Sequence, residues 1–357
     1  MTDSESTRIR EFAARLTGAD SSAWAATFAQ VPRHHFVPSF YTMTGDGWKE
    51  VKNGDPEYLD GVYADTALTT QTDDKGIPNS SSSEPSLMLA MLDALNVQPG
   101  NSVFELGTGT GYNAALLCAR LGDENVVSVD VDDELVGAAR DRLARLGYSP
   151  TLAAGDGAAG YPGKAPYDRL IATARLRFIP RAFLEQSADG AVMVVPLGFG
   201  VARLTVTGTT EAHGHFMPLP AHFMPRRVES MAPRFAELET QEARPTTVNV
   251  ADVLERLSFP MSLAMPDYTS CTWVDDDGTP SALGLWTGDG STATATMTGK
   301  VRQIGPRRLW DELEQLAITF QDADGVSRED FGVTVTPNGQ RVWYGAENGP
   351  SWALPAE

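Results

Sequence analysis

A glutamate followed by alternating glycines is the part of this sequence that most directly suggests chemistry. Glu105 precedes Gly107, Gly109 and Gly111 in the stretch FELGTGTGY, between an apolar run typical of a strand and one typical of a helix. Glycines at a strand-to-helix turn let a ligand approach the backbone closely at the start of the helix. A carboxylate just before that turn favours a ligand with positive charge over one that carries phosphates.

The spacing of the glycines separates this loop from the common nucleotide loops. A dinucleotide fingerprint has glycine at its first, third and sixth positions, but the sixth position here is Tyr112. A P-loop needs a lysine that this loop lacks. An acid followed by G-x-G-x-G resembles the S-adenosyl-L-methionine motif of class I methyltransferases, whose ligand carries a cationic sulfonium, an amino group and no phosphate.

Two further acids follow at the ends of the next predicted strands. Asp130 ends the strand NVVSVDV, where a carboxylate can accept two hydrogen bonds from a ribose diol. Asp156 follows the next strand, in AGDG, where it can accept from an adenine amino group. Each acid alone could be an ordinary strand-end residue. Acids in phase at three successive strand ends predict a binding site for the methyl donor.

The elements that must position these residues alternate between strand and helix. Apolar runs predict strands over 101–106, 125–131, 150–157, 165–174 and 190–198. Helical patterns of ten or more residues separate several of these strands, which predicts a parallel sheet in a doubly wound, Rossmann-like α/β domain.

The chain on either side of this alternation has a different character. Apolar spacing over residues 8–29 predicts packed helices, and the polar, turn-rich stretch 42–83 predicts a surface loop or lid. Beyond residue 227 the sequence predicts Thr- and Gly-rich strands, an amphipathic helix over 307–321 and an Asn-Gly hairpin over 331–345. We therefore predict a catalytic domain of residues 1–227 and an α+β domain of residues 228–357.

Composition restricts the partners and the compartment. The 357 residues carry a formal net charge of −19, which repels nucleic acid and favours a neutral or basic partner. The sequence has no apolar run of about 18 residues and begins with a polar, acidic segment, so we expect neither a membrane span nor a secretory signal. Cys118 and Cys271 are too few for a disulfide framework or a zinc cluster, and we expect a cytoplasmic protein without metal.

Other chemistry-bearing residues have structural interpretations. His34 and His35, in a proline-bounded turn, are expected to pack rather than to catalyse. His213 and His215 could share a strand face, but no third zinc ligand has suitable spacing. Core packing is the first interpretation of the C-terminal tryptophans, and an aromatic groove for an extended peptide is the alternative. These are Trp273, Trp286, Trp310, Trp343 and Trp352.

Several segments together resemble the protein-L-isoaspartate O-methyltransferase family. These segments are VPRHHFVP, YADTAL, SSSEP, VQPGNSVFELGTGTGYNAALL, LGYSPTLAAGDGAAGYPGKAPYDRLIATA and IPRAFLEQSADGAVMVVPLG, which together span roughly residues 30–227. The resemblance implies that Ser83 stands at the active-site serine, beside the donor and the substrate carboxylate, and that residues 63–85 cover the peptide. The implied donor-binding residues are Glu105, Gly107, Thr108, Gly109, Gly111, Tyr112, Asp130, Val131, Asp156, Gly157 and Thr173.

The chain departs from the family pattern in places that affect the acceptor. The usual Ser-Gln-Pro is Ser83-Glu84-Pro85, and Arg175 and Arg177 stand where the family has small residues. The C-terminal segment resembles the extension of homologues that act with lanthipeptide, graspetide or lasso-peptide enzymes. Those homologues esterify one aspartate of a cyclised precursor peptide, and the ester closes to an aspartimide.

Three functions remain open at this stage. The first is tailoring of a modified precursor peptide, the second is repair of isoaspartyl residues in damaged proteins, and the third is a binding module without turnover. A carboxylate acceptor is already ionised at neutral pH, so methyl transfer to it needs no general base. The lack of a Ser-His-Asp or metal constellation is therefore consistent with a methyltransferase that yields S-adenosyl-L-homocysteine.

Overall fold

The chain divides into two units in a computed structural model that describes residues 3–17, 23–45, 47–74, 76–224, 232–265, 268–323 and 325–356. The N-terminal unit comprises Met1–Ala174, Pro180–Pro196 and Arg203–His213. The C-terminal unit comprises Arg175–Ile179, Leu197–Ala202 and Gly214–Glu357. The predicted boundary at residue 227 lies outside the described residues, and the assignment of separate roles to the two domains stays a prediction.

The first part of the N-terminal unit contains helices and a small antiparallel sheet of order β2-β1-β3-β4 among its described residues. Its elements are α1 (Asp3–Thr17), α2 (Ala25–Gln30), β1 (Ser39–Thr44), β2 (Gly47–Lys52), α3 (Tyr58–Val62), β3 (Leu68–Thr72) and β4 (Pro78–Ser82). The prediction of a surface loop over 42–83 was therefore wrong. This stretch is rich in Ser, Thr and Asn and lacks the apolar alternation by which strands are predicted. The strands are instead stabilised by pairing with one another, as between Thr44 and Gly47.

The second part of the N-terminal unit is the predicted doubly wound sheet. Its elements are α4 (Pro85–Leu95), β5 (Val103–Leu106), α5 (Tyr112–Leu121), β6 (Val126–Asp130), α6 (Asp133–Arg145), β7 (Thr151–Ala154), β8 (Tyr167–Ala172), α7 (Arg181–Glu185) and β9 (Ser187–Leu197). The strands pair in the order β9-β8-β5-β6-β7, and every pairing among them is parallel. The α4 helix packs against β8, α5 against β6, and α6 against β7.

The order of these strands reverses between β5 and β8. The chain runs from β5 outward to β6 and β7 and then returns to the other side of β5 at β8. In open α/β sheets a ligand binds beyond the carboxyl ends of the strands at such a reversal. Glu105 lies in β5, Asp130 ends β6, and Thr173 follows β8, so the predicted donor residues lie at the expected end of the sheet.

The C-terminal unit is rich in antiparallel strands, as the sequence predicted. The elements that follow β9 are β10 (Gly200–Thr207), β11 (Glu211–Phe216), α8 (Phe235–Leu238), β12 (Arg244–Pro245), α9 (Val250–Asp252), α10 (Ser258–Ala264), β13 (Tyr268–Val274), β14 (Pro280–Thr287), β15 (Thr292–Thr296), β16 (Lys300–Ile304), α11 (Leu309–Thr319), β17 (Phe331–Thr336), β18 (Gly339–Tyr344) and β19 (Ser351–Ala353). The unit boundaries fall within β10 and β11.

The predictions for this C-terminal unit hold in detail. A five-stranded sheet has the order β12-β16-β15-β14-β13, and β17 and β18 form the hairpin, in which Thr336 pairs with Gly339. The amphipathic helix is α11, whose Trp310 and Leu313 are fully buried. Across the parts of the chain that the structure describes, no helix is long and apolar enough to cross a membrane.

Candidate active site

The glycine loop between β5 and α5 is fixed to the end of β8. Gly107 has φ +98°, a backbone conformation that side chains rarely adopt. A Cβ at Gly107 would lie 2.5 Å from Oγ1 of Thr173, which itself donates to the Gly107 carbonyl over 2.8 Å. The predicted residues Gly107 and Thr173 are therefore in direct contact, and only glycine fits at this position.

The opposite end of the loop, where α5 begins, is equally tight. Gly111 has φ +87°, and a Cβ there would lie 3.1 Å from that of Ala139 on α6. Thr108 is buried, and its hydroxyl lies 2.7 Å from that of Ser128 on β6. The loop thus holds its backbone open toward a ligand by contacts with β6, β8 and α6.

Glu105 is fully buried, and one oxygen of its carboxylate has no hydrogen-bond partner. Its Oε1 accepts from Nδ2 of Asn113 over 2.6 Å, whereas Oε2 accepts from no group in the described residues. Burial raises the pKa of Glu105 to about 7, although the neighbouring Ser128 hydroxyl and Asn113 amide act in the opposite direction. A buried carboxylate with one unpartnered oxygen fits a cationic ligand, because such a ligand would supply a hydrogen-bond donor and the opposite charge.

Asp130 connects the end of β6 to the glycine loop. Its Oδ2 accepts from the amide of Gly109 over 2.9 Å, and its Oδ1 accepts from the amide of Asp132 over 3.2 Å. Each oxygen keeps a second lone pair, so the carboxylate can still accept from a diol. The next side chain, Val131, is 59% exposed, which leaves an apolar surface beside Asp130 for the face of a flat ring.

Asp156 and Gly157 lie after β7, and the structure gives the aspartate a local role. Asp156 is exposed, and its Oδ1 accepts from the amide of Ala158 over 3.0 Å, which caps a short helical turn. Gly157 is buried, and a Cβ there would lie 2.8 Å from Cγ of Leu106 on β5. The assignment of Asp156 to an adenine amino group stays a prediction.

Ser83 follows β4 and is held in place through its backbone. The half-exposed Ser83 offers its carbonyl to Nη2 of Arg33 over 3.0 Å. Two residues earlier, the carbonyl of Ser81 would lie 3.7 Å from a Cβ placed on Gly109. The segment that carries Ser83 therefore lies against the glycine loop, as a catalytic segment would have to.

Arg33 is a residue that sequence reasoning missed, and it holds the segment that carries Ser83. It is fully buried, and its guanidinium donates to the carbonyls of Val62, Ala64 and Thr66 over 3.0–3.1 Å. The same group donates to the Ser82 carbonyl and hydroxyl over 3.2–3.3 Å. Arg33 thus joins the segments before β3 and after β4. An arginine between apolar residues in VPRHHFVP was the available signal.

The other candidate residues pack as structural groups. Nδ1 of His34 lies 2.6 Å from the hydroxyl of Tyr63, and burial lowers the pKa of His34. His215 packs edge-on against Trp343, with 4.9 Å between ring centroids. Cys118 is buried, as expected of a small core residue. Within the described ranges, no three His, Cys, Asp or Glu side chains gather as metal ligands would.

The C-terminal tryptophans divide between core and surface. Trp310 and Trp343 are buried, whereas Trp273 is 39% exposed. Phe235 makes edge-to-face contacts with Trp273 at 5.0 Å and with Trp286 at 5.7 Å between centroids. The core interpretation holds for the buried pair, and the use of the exposed ring by a peptide stays a prediction.

Comparison with known proteins identifies the family. The sequence model described as protein-L-isoaspartate(D-aspartate) O-methyltransferase (PCMT) matches residues 14–212, more than half of the chain. The chain belongs to this family. Its donor is S-adenosyl-L-methionine, and it is a carboxyl O-methyltransferase.

Individual relatives agree with this family over more than half of the chain. A protein-L-isoaspartate O-methyltransferase of Ignicoccus hospitalis is 33% identical over 207 residues, which cover 56% of this chain and 87% of the relative. One from Gloeobacter violaceus is 33% identical over 216 residues, 59% of this chain and 93% of that protein.

A solved structure shares the fold over nearly the whole chain. It is titled protein-L-isoaspartate O-methyltransferase and covers 94% of this chain and 100% of its own, with a TM-score of 0.56 and 21% identity. A solved structure with this title therefore has a similar fold over most of the length of this chain, including much of the C-terminal unit. The C-terminal unit alone does not distinguish peptide tailoring from repair.

The residues of this chain fit the donor of the family. Glu105 would face its positive charge, the loop from Gly107 to Gly111 would approach it with bare backbone, and Asp130 would accept from its hydroxyls. When bound, S-adenosyl-L-methionine supplies an electrophilic methyl group. The protein's own contribution would be to hold an already ionised carboxylate in line with that methyl group and to exclude water from it. The role of Ser83 in this step stays a prediction.

Proposed function

We propose that this methyltransferase esterifies an aspartate side chain of a cyclised, ribosomally made peptide. The observation that supports methyl transfer to a peptide carboxylate is the approach of the Ser83 segment to the glycine loop, where the Ser81 carbonyl would lie 3.7 Å from a Cβ placed on Gly109. The Ser83 hydroxyl orients the acceptor carboxylate by hydrogen bonding and does not need to lose its proton.

The methyl ester is an activated form of the aspartate side chain. The amide nitrogen of the following residue attacks the ester carbonyl, the C–N bond forms, and methanol leaves with the amide proton. The resulting five-membered aspartimide hydrolyses to aspartate or isoaspartate. The partner of the enzyme in this proposal is thus a modified precursor peptide, and neither nucleic acid nor a membrane is involved.

Support for peptide tailoring comes from the departures on the acceptor side. Glu84 replaces the usual glutamine after Ser83, and its Oε1 accepts from the hydroxyl of Ser86 over 3.0 Å at the start of α4. Most of the C-terminal unit lies beyond the residues matched by the family, although by itself it does not separate tailoring from repair. Selection of one aspartate among many requires added contact area or a rigid ligand, and a macrocycle loses little freedom on binding.

Repair of isoaspartyl residues is the second candidate function. The observation that favours it is the solved structure with the family title, which spans 94% of this chain. A repair enzyme accepts many unfolded chains and therefore needs to recognise little beyond the isoaspartyl linkage.

One experiment separates the two candidates. The full chain is given S-adenosyl-L-methionine with either a macrocyclic peptide that contains Asp-Gly or a linear isoaspartyl peptide, and products are followed by mass spectrometry. Tailoring predicts methyl gain on the macrocycle, followed by methanol loss to a product one water lighter than the substrate. The macrocycle with Asn in place of Asp is the control. Preference for the linear isoaspartyl peptide would replace tailoring by repair.

A further inference from the structure

Basic side chains of the C-terminal unit gather around one phenylalanine. The guanidinium carbon of Arg175 lies 5.5 Å from the ring centroid of Phe199, and the imidazole of His222 lies 4.7 Å from it. Nε of Arg328 donates to the Phe199 carbonyl over 3.3 Å, and its guanidinium covers the ring of Phe259 at 4.9 Å. Three groups that can carry positive charge thus surround Phe199, and we call Arg175, His222 and Arg328 the basic cluster.

The cluster has no acidic partner among the residues that the structure describes. Most other arginines of the C-terminal unit pair with carboxylates, for example Arg244 with Glu314 at 2.9 Å and Arg341 with Glu347 at 3.2 Å. Neither Arg175 nor Arg328 makes an ion pair within the described ranges. A chain with 47 acidic and 28 basic residues has carboxylates in excess, yet neither arginine of the cluster has one as a partner in the described part of the chain.

The environment of the cluster is partly dehydrated. Burial lowers the pKa of Arg175 and of Arg328 from their usual values, and no nearby carboxylate raises either one. The pKa of His222 is also lowered, first by burial and then by the charges of Arg328 and Arg175. A negatively charged ligand would be bound strongly here, because partial burial weakens the screening of charge by water.

One member of the cluster, Arg175, lines a small cleft of the same unit together with Tyr268, Leu197 and Leu354. The backbone of Arg175 is anchored by a hydrogen bond from its amide to the carbonyl of Met224 over 2.9 Å. The two leucines are buried, so the guanidinium of Arg175 is a group that the cleft offers to a carboxylate.

We propose that Arg175, His222 and Arg328 together form a binding site for an acidic side chain of the peptide substrate. The occupant is a peptide carboxylate, which the planar guanidinium matches in shape and charge. The proposal rests on the proposed function only in that the peptide is the substrate. It explains why Arg175 stands where the family has small residues.

The test uses the full chain and two blocked octapeptides that differ only in one Glu or Gln. Isothermal titration at low salt is expected to show at least tenfold tighter binding of the Glu peptide. Arg175→Gln and Arg328→Gln should each remove most of that difference. Arg308→Gln is the matched control, because it removes one exposed positive charge from the same unit and should change affinity less than twofold.

A spectroscopic readout locates the bound carboxylate. The imidazole signal of His222 should titrate at higher pH when the Glu peptide is bound, and the Gln peptide should leave it unchanged. Equal affinity for the two peptides would overturn the proposal. Equal loss of affinity in Arg308→Gln would overturn it as well, since the effect would then reflect net charge alone. Displacement of the Glu peptide by inorganic phosphate at a lower concentration than by glutarate would reject carboxylate as the ligand class.

The same samples separate this proposal from the proposed function. If the macrocycle is not methylated but the Glu peptide binds in an Arg175-dependent way, only the proposed function fails. If the macrocycle is methylated and the two octapeptides bind alike, only the carboxylate site fails.

Discussion

Arg33 of the N-terminal unit and Arg175 of the C-terminal unit are the same side chain in opposite situations. Arg33 is completely buried, and its guanidinium donates to carbonyls of the segments before β3 and after β4. Arg175 is half-buried, covers a phenylalanine face and has no acceptor for its side-chain donors within the described residues. A guanidinium with every donor satisfied serves the fold, whereas one with free donors in a dehydrated place is available to a ligand.

Substitution of these two arginines should give the largest effect, and it tests the comparison directly. Arg33→Met leaves several buried carbonyls without donors, so we expect the free energy of unfolding to fall by about 3 kcal/mol or more. Arg175→Met removes a ring contact and no hydrogen bond, so it should cost less than about 1 kcal/mol. Urea unfolding of the two variants measures both values. Equal losses would show that hydrogen-bond satisfaction does not separate the two arginines.

A second prediction extends the comparison to Glu105, an unsatisfied group within the N-terminal unit. Its folded pKa is raised to about 7 from the usual 4.5, so the unfolded chain loses this proton first as the pH rises. Without bound methyl donor, the protein therefore loses stability as the pH rises from about 4.5 to about 7, and the loss is constant above that range. Glu105→Gln should remove it, a gain on the order of 3 kcal/mol at pH 8 and none at pH 4.

The same substitution should stabilise the protein but weaken its binding of the methyl donor. Glu105→Gln takes away the negative charge that a cationic ligand would face, so affinity for S-adenosyl-L-methionine should fall at least tenfold. Calorimetry at pH 8 measures this affinity, and the exposed Glu134→Gln is the charge control. A variant that is more stable and also binds the ligand normally would remove Glu105 from the donor site.

The smallest expected effects come from two neighbouring serines that differ in their contact with Arg33. The buried Ser82 hydroxyl lies 3.3 Å from Nε of Arg33, so Ser82→Ala should cost about 1–2 kcal/mol of stability. Ser83 bonds to Arg33 only through its carbonyl, so Ser83→Ala should leave stability and donor affinity intact and lower turnover at least tenfold. Unchanged turnover in Ser83→Ala would show that the hydroxyl does not act on the acceptor.

The donor side of this fold could be predicted because its signals are local. The glycine loop, the strand before it and the acids at strand ends all lie within short windows of sequence, and each pattern has one strong structural interpretation. The structure places Glu105, Gly107, Asp130 and Thr173 at one end of a parallel sheet, as expected.

The parts that could not be predicted depend on contacts distant in sequence. The acceptors of Arg33 lie 29 to 50 residues away, and no local pattern indicates them. The strands of the small sheet carry Ser, Thr and Asn, so their order comes from pairing with one another rather than from an apolar alternation. The inclusion of Arg175–Ile179 in the C-terminal unit likewise depends on tertiary contacts that no local sequence pattern indicates.

The position of β13 at the border of its sheet has a consequence for self-association. Among the described strands, β13 pairs only with β14, and most of its residues are exposed. Such a border can recruit the same strand of another molecule and start aggregation. An irregularity in the pairing between Trp273 and Val274 disturbs the regular backbone of this edge strand. The run Asp275-Asp276-Asp277 that follows gives the edge negative charge. These two features should keep the chain monodisperse at high concentration, and neutral residues in place of the aspartates should promote assembly through β13.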